Sequence, residues 1–216
     1  MSMDYLRFTL VSEGTTDENL VPILEWAIRE QGIPVAQGYF ARWHLLPKKP
    51  TTIVEKIIAG LELQKCDVLF VHRDADNSDP NPRRQEIQSA VDEISASGQL
   101  SIPSIPVVPI QETEAWLLLD EKAIRCAANN PNGKNNLELP HWRRIEQCPD
   151  AKSELRRVLR KATEYGPLRL KRFDTESART RVVNYFSDFK VLRQLSGFRQ
   201  LESDLVALRQ NGWRLL

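Results

Sequence analysis

The chain has 216 residues, 41% hydrophobic and 27% charged, enough for one well-buried domain with a smaller appendage. No apolar run reaches about 18 residues, which excludes a transmembrane helix, and three scattered cysteines without a CxxC pair suggest neither a zinc site nor a disulfide framework. The net charge of +1 hides an asymmetry: residues 1–120 hold 10 Lys and Arg against 18 Asp and Glu, and residues 121–216 hold 20 against 11.

The opening MSMDYLRFTL lacks a basic segment followed by an apolar one, so no secretory signal is expected, and the chain reads as cytoplasmic and reduced. YLRFTLVSEG (5–14) reads as a strand. Thr15 or Thr16 is the expected cap of the next helix, with Asp17 and Glu18 in its first turn. Leu20, Ile23, Leu24, Ala27 and Ile28 then fall at helical spacing, and Gly32 stops the helix. Residues 35–46 look strand-like. Thr51 or Thr52 opens a second helix that runs to about residue 65. CDVLFVH (66–72) has no polar alternation, as expected of a strand covered on both faces. A third helix is expected over 82–98 and a strand around 106–110, running into an acidic patch and an apolar helix start. Residues 129–140, rich in Asn, Pro and Gly, form a loop, and the rest reads as helical. Such alternation predicts an α/β fold: a mostly parallel, Rossmann-like sheet flanked by helices, with a helical C-terminal extension. The expected division is a domain over 1–125 and a basic helical extension over 126–216 packed on it.

In open parallel sheets, ligands bind beyond the carboxyl ends of the strands. Glu13 follows the first strand, Asp74 and Asp76 follow the 66–72 strand, and Glu112 and Glu114 follow the 106–110 strand. Asp74 and Asp76, one residue apart at a strand end, are expected to point the same way. Turns favour Asp, which leaves a structural origin open, but they explain the Glu residues poorly. Carboxylates gathered this closely repel unless a cation neutralises them. An all-oxygen cluster without His or Cys suits Mg²⁺ or Mn²⁺ rather than Zn²⁺.

SEGTTDENLVPIL followed by CDVLFVHRDAD resembles the Toprim domain shared by topoisomerases, DnaG-type primases, small ribonucleases and overcoming-lysogenization-defect (OLD) nucleases. ETEAWLLLD is closer to the OLD type, and residues 5–125 resemble small stand-alone bacterial Toprim-like proteins. The resemblance implies that Glu13 binds metal and acts as general acid or base, and that Asp74 and Asp76 are the metal-binding pair. By the same resemblance Glu112 and Glu114 serve a second cation, and Asp17 is the acid that follows the first motif. It also implies an ABC-type ATPase partner in phage defence or repair. With no GxxxxGK[ST] motif present, ATP hydrolysis would come from another chain.

The resulting expectation is a divalent-metal-dependent nuclease using two ions, with DNA favoured over RNA; Asp74 joins Glu13 as a catalytic residue. The alternative is a non-catalytic nucleic-acid-binding or regulatory subunit. OLD-type nucleases place a lysine near the metals, and Lys152, opening a helix in PDAKSEL, is preferred over Lys134 for that role. Arg73, between strand and acids, steadies a carboxylate or reaches a phosphate. Arg156, Arg157, Arg160 and Lys161 share neighbouring faces of one helix, and with Arg169, Lys171 and Arg172 form the expected phosphate-contacting surface; a merely solvated basic face is the alternative. His72, opposite Arg73 along the strand, is expected to be packed or hydrogen-bonded in the core. Trp213 is a packing anchor or an oligomer contact, and a homodimer stays open.

Overall fold

The computed structural model describes residues 4–14, 16–76 and 79–213. Strands β1 (Tyr5–Val11), β2 (Val35–Phe40), β3 (Val68–His72) and β4 (Ser104–Val107) form one sheet in the order β2-β1-β3-β4, every neighbouring pair parallel. Helices α1 (Leu20–Glu30), α2 (Ile53–Leu63) and α3 (Asn81–Ala96) connect the strands. After β4 come α4 (Glu114–Leu117), α5 (Glu121–Ala127), α6 (Trp142–Ile145), α7 (Ala151–Ala162), α8 (Pro167–Leu170), α9 (Thr175–Arg181) and α10 (Ser196–Gln210). The expected α/β architecture with a parallel sheet and a helical C-terminal region is therefore present. Among the described residues, no helix is long and apolar enough to cross a membrane.

Side-chain alternation divides the sheet between two cores. Leu6, Phe8 and Leu10 of β1 and Val68 and Phe70 of β3 face the larger one, where Phe8 and Phe70 meet edge to face at 5.1 Å. That core is filled by α1, α4, α5, α7 and α10. Val11, Leu69 and Val71 face the smaller one, against Ile57 of α2 and Ile87, Ala90 and Ile94 of α3. All five residues of β3 are buried, which is why its sequence shows no polar alternation. Leu155, Val158, Leu201 and Leu205 of the extension belong to the same larger core as the strands. The division expected after residue 125 falls inside α5, whose Ala123, Ile124 and Ala127 are part of that core.

Local chemistry sets most boundaries. Gly32, at φ +86°, takes the left-handed turn after α1. Thr52 and Glu55 form a reciprocal capping box at the start of α2. Thr15 lies outside the described residues, and Thr16 makes no side-chain cap; a 3-10 turn over Asp17–Asn19 leads into α1. Three readings needed correction. The strand over 35–46 stops at Phe40 and gives way to a 3-10 turn, Trp43–Leu45. The strand around 106–110 is Ser104–Val107, which contains Pro106; Pro109, two residues further on, has no N–H with which to prolong the ladder. The helix beginning at the acidic patch is a single turn, α4, and Asp120 then caps a new helix by accepting from Ala123 N–H at 2.9 Å.

Candidate functional site at the carboxyl edge of the sheet

Because all four strands are parallel, the ends of β1, β3 and β4 lie side by side. β2 lies on one side of β1 and β3 on the other, so the chain's direction of travel switches between β1 and β3. That is where ligands bind in sheets of this kind. Beyond β3 and β4 the two loops stay paired: Arg73 N–H donates to Val107 O at 3.2 Å, Ala75 N–H to Pro109 O at 3.1 Å and Asp76 N–H to Gln111 O at 3.0 Å. Asp76 and Gln111, hydrogen-bonded to each other, both occupy the left-handed region, at φ +57° and +63°, a conformation that costs non-glycine residues free energy and concentrates at functional sites. β3 ends at His72, so strand alternation no longer governs Asp74 and Asp76. They do not point the same way; each meets a different partner.

On the larger-core side, His72 is buried between two carboxylates. Its Nδ1 lies 3.4 Å from Asp17 and its Nε2 3.3 Å from Asp74. Thr113 completes the arrangement: its hydroxyl lies 3.0 Å from His72 Nε2, while its N–H and hydroxyl donate to Asp74 Oδ1 at 2.9 and 3.1 Å. Burial disfavours a charged imidazole, but the hydrogen bonds and charges of Asp17 and Asp74 outweigh it and push His72 up to about 10. Burial likewise opposes ionisation of Asp17, yet His72, the Gly14 N–H (2.9 Å) and Ser12 pull it down to about 2. Asp17 is thus an inward-facing anchor, with a side chain only 12% exposed.

On the α2–α3 side, Glu13 meets Arg73 Nε at 2.8 Å, Arg73 meets Glu86 at 2.6 Å, Glu86 meets Arg83 at 3.0 Å, and Arg83 meets Asp76 at 2.8 Å. Glu13 and Asp76 stand at the open ends of this chain of charges, with side chains 52% and 59% exposed. A cavity of about 200 Å³ opens beside it, lined by Ser12, Glu13, Lys56, His72 and Arg73.

At the end of β4, Glu112 and Glu114 reach different helices. Glu112 accepts the backbone N–H of Lys152 at 2.8 Å, at the start of α7, where free N–H groups and the helix dipole favour an anion. The extension thereby brings Lys152 to the acidic edge. Glu114 is buried and paired with Arg179 of α9, which is also buried. Burial pushes its carboxyl up, against the opposing pull of Arg179. Arg179 continues to Glu176 and Glu176 to Arg156.

Of the expected acids, Glu13, Asp74, Asp76 and Glu112 therefore line the accessible edge, whereas Asp17 and Glu114 are enclosed with protein cations. Among the described residues, no three His, Cys, Asp or Glu side chains already form a metal-ligand group. Of the expected basic surface, Arg156 is paired with Glu176, Arg157 with Glu154, and Lys161 with Glu138. Arg160, Lys171 and Arg172 are exposed. The roles of Thr113, Arg83, Glu86 and Arg179 escaped sequence reasoning. Arg83 and Glu86 had a visible signal, sitting three residues apart at a helix start next to HRDAD; Thr113 and Arg179 had none. Comparison with known proteins finds no matching family model, no matching curated protein and no matching solved structure.

Proposed function

We propose that this chain is a divalent-metal-dependent nuclease of Toprim-like kind, hydrolysing phosphodiester bonds in nucleic acid, with DNA the favoured substrate. One observation carries the reading: three parallel strand ends bring Glu13, Asp74, Asp76 and Glu112 to a single edge, where Lys152 joins them from the extension. The donor set fits Mg²⁺ or Mn²⁺, since every candidate ligand is a carboxylate oxygen, and Glu13 and Asp76 are exposed to solvent cations. Glu13, Asp74 and Asp76 would hold one ion only once Glu13 and Asp76 exchange Arg73 and Arg83 for the cation, and Glu112 would serve a second. Bound there, such ions would acidify a water and offset charge on the departing oxygen. The chain's own residues do the positioning. Thr113 holds Asp74 in one orientation through two donated bonds. The Lys152 ammonium supplies positive charge where negative charge develops. A reduced cytoplasmic setting and an ATPase partner on another chain belong to the same proposal.

A second reading is favoured by a specific feature: Glu13 and Asp76 already have guanidinium partners, so the edge is internally neutralised. On that reading the chain is a non-catalytic nucleic-acid-binding or regulatory subunit. Cleavage of plasmid and single-stranded DNA in Mn²⁺ or Mg²⁺ separates the two. Asp74→Asn keeps the acceptor for Thr113 and is expected to abolish cleavage while the chain stays folded at the assay temperature. Cleavage at the wild-type rate would refute the assigned site. DNA binding without cleavage in any divalent cation would favour the second reading.

A further inference from the structure

The α7 part of the expected basic surface is largely spent on carboxylates, but its continuation at Arg169 and Arg172 is not. A cavity of about 350 Å³ lies between α8 and α9, lined by Tyr165, Arg169, Arg172, Asp174 and Arg181 among others. The Arg169 guanidinium sits 3.7 Å over the Tyr165 ring. Among the described residues, Arg181 makes only a long bond, 3.4 Å, to Ala127 O, and its Nε is buried with no hydrogen-bond partner. Among the described residues, Arg169, Arg172 and Arg181 form no ion pair, unlike Arg156, Arg157 and Lys161. The one carboxylate among the described residues of the cavity wall, Asp174, is engaged in capping α9 through Ser177 N–H at 2.9 Å. Three guanidinium groups thus face one cavity with a single, committed counter-charge.

We infer that this cavity is a phosphate-binding site for the backbone of a nucleic-acid strand, held by Arg169, Arg172 and Arg181. Guanidinium forks match phosphate oxygens in pairs and tolerate partial burial better than ammonium groups do. Arg169, flattened on Tyr165, also offers a planar surface on which an unpaired base stacks. α9, a helix of about 10 Å, runs along the cavity, which Asp174, Ser177 and Arg181 line. It begins at the cavity with Asp174 and carries Arg179 to Glu114. The inference rests on the nuclease reading for the identity of its ligand, but not on metal binding or cleavage.

The test uses the full chain in EDTA with a fluorescein-labelled single-stranded oligonucleotide, followed by anisotropy over a range of NaCl concentrations. Arg169→Gln and Arg172→Gln, both exposed, are expected to weaken binding roughly fivefold each and to lower the salt slope by about 1 each. Arg29→Gln, on α1, controls for loss of a charge elsewhere. Wild-type affinity and slope in both cavity variants would overturn the inference while leaving nucleic-acid binding in place. A wild type that ignores the oligonucleotide, yet whose thermal midpoint rises with inorganic phosphate when that of Arg172→Gln does not, would overturn the strand assignment and the nucleic-acid reading with it.

Discussion

Lys152 and Glu112, forty residues apart, are joined by a 2.8 Å hydrogen bond from the backbone of one to the carboxylate of the other. This bond fastens the first turn of α7 to the acidic edge, so the extension contributes to the candidate site directly. Glu112→Ala removes the acceptor and is expected to cost about 1–2 kcal/mol in urea unfolding. Glu112→Gln keeps an acceptor and is expected to cost less than half of that. If Glu112 also serves a cation, Glu112→Gln will depress metal-dependent cleavage out of proportion to its stability loss. Equal stability losses for Ala and Gln would show that the bond does not hold the helix.

The His72 cluster predicts a pH dependence of stability. His72 is raised from 6.5 to about 10, so its contribution is complete below pH 6.5 and is lost as pH rises towards 10. Asp17 is lowered from 3.8 to about 2, so its contribution is complete above pH 3.8 and is lost as pH falls towards 2. The two are halves of one interaction, strongest between those limits. Unfolding free energy measured across pH 6.5–10 is expected to fall for the wild type and to be flatter in His72→Gln. Parallel curves would mean that His72 is not held protonated.

The buried pair of Glu114 and Arg179 gives an asymmetric expectation. Arg179→Met leaves a buried carboxylate without its partner and is expected to cost about 3 kcal/mol or more. Adding Glu114→Gln to that variant removes the stranded charge and is expected to recover a substantial part of the loss. Urea unfolding of both single variants and the double variant closes the cycle; strict additivity would contradict a direct pair.

Gly38 of β2 lies beside Phe8 in the register of the sheet, where an added Cβ would collide with the Phe8 ring and Val21. Gly38→Ala is expected to destabilise the fold by about 1–3 kcal/mol through overpacking, read as a lower urea midpoint with an unchanged slope. A neutral result would mean that α1 gives way at no cost.

Much of the fold was legible along the chain, because apolar periodicity is a local signal. The unbroken run before His72 marked a doubly covered strand, and the Leu20–Ile28 spacing marked an amphipathic helix. Boundaries were less legible where short-range chemistry interrupts periodicity, as at Pro109 or at Asp120. Of the site, the carboxylates were visible as strand-end residues, and Lys152 as a helix-opening lysine. The convergence of Asp17 and Asp74 on one imidazole was not visible, since Asp17 sits in a turn fifty-five residues before His72.

By itself, then, the sequence determined the order of strands and helices and the placing of an acid after each of three strands, because periodicity and turn preferences act over a few residues. Only the tertiary structure decided which cation each acid meets. Asp17 turns inward to His72, Glu114 to Arg179 and Glu13 to Arg73, while Asp74 and Glu112 receive protein N–H and O–H donors. Those choices depend on which elements the sheet order brings together, and charge pairing over a few ångströms carries no trace in the linear spacing of the residues.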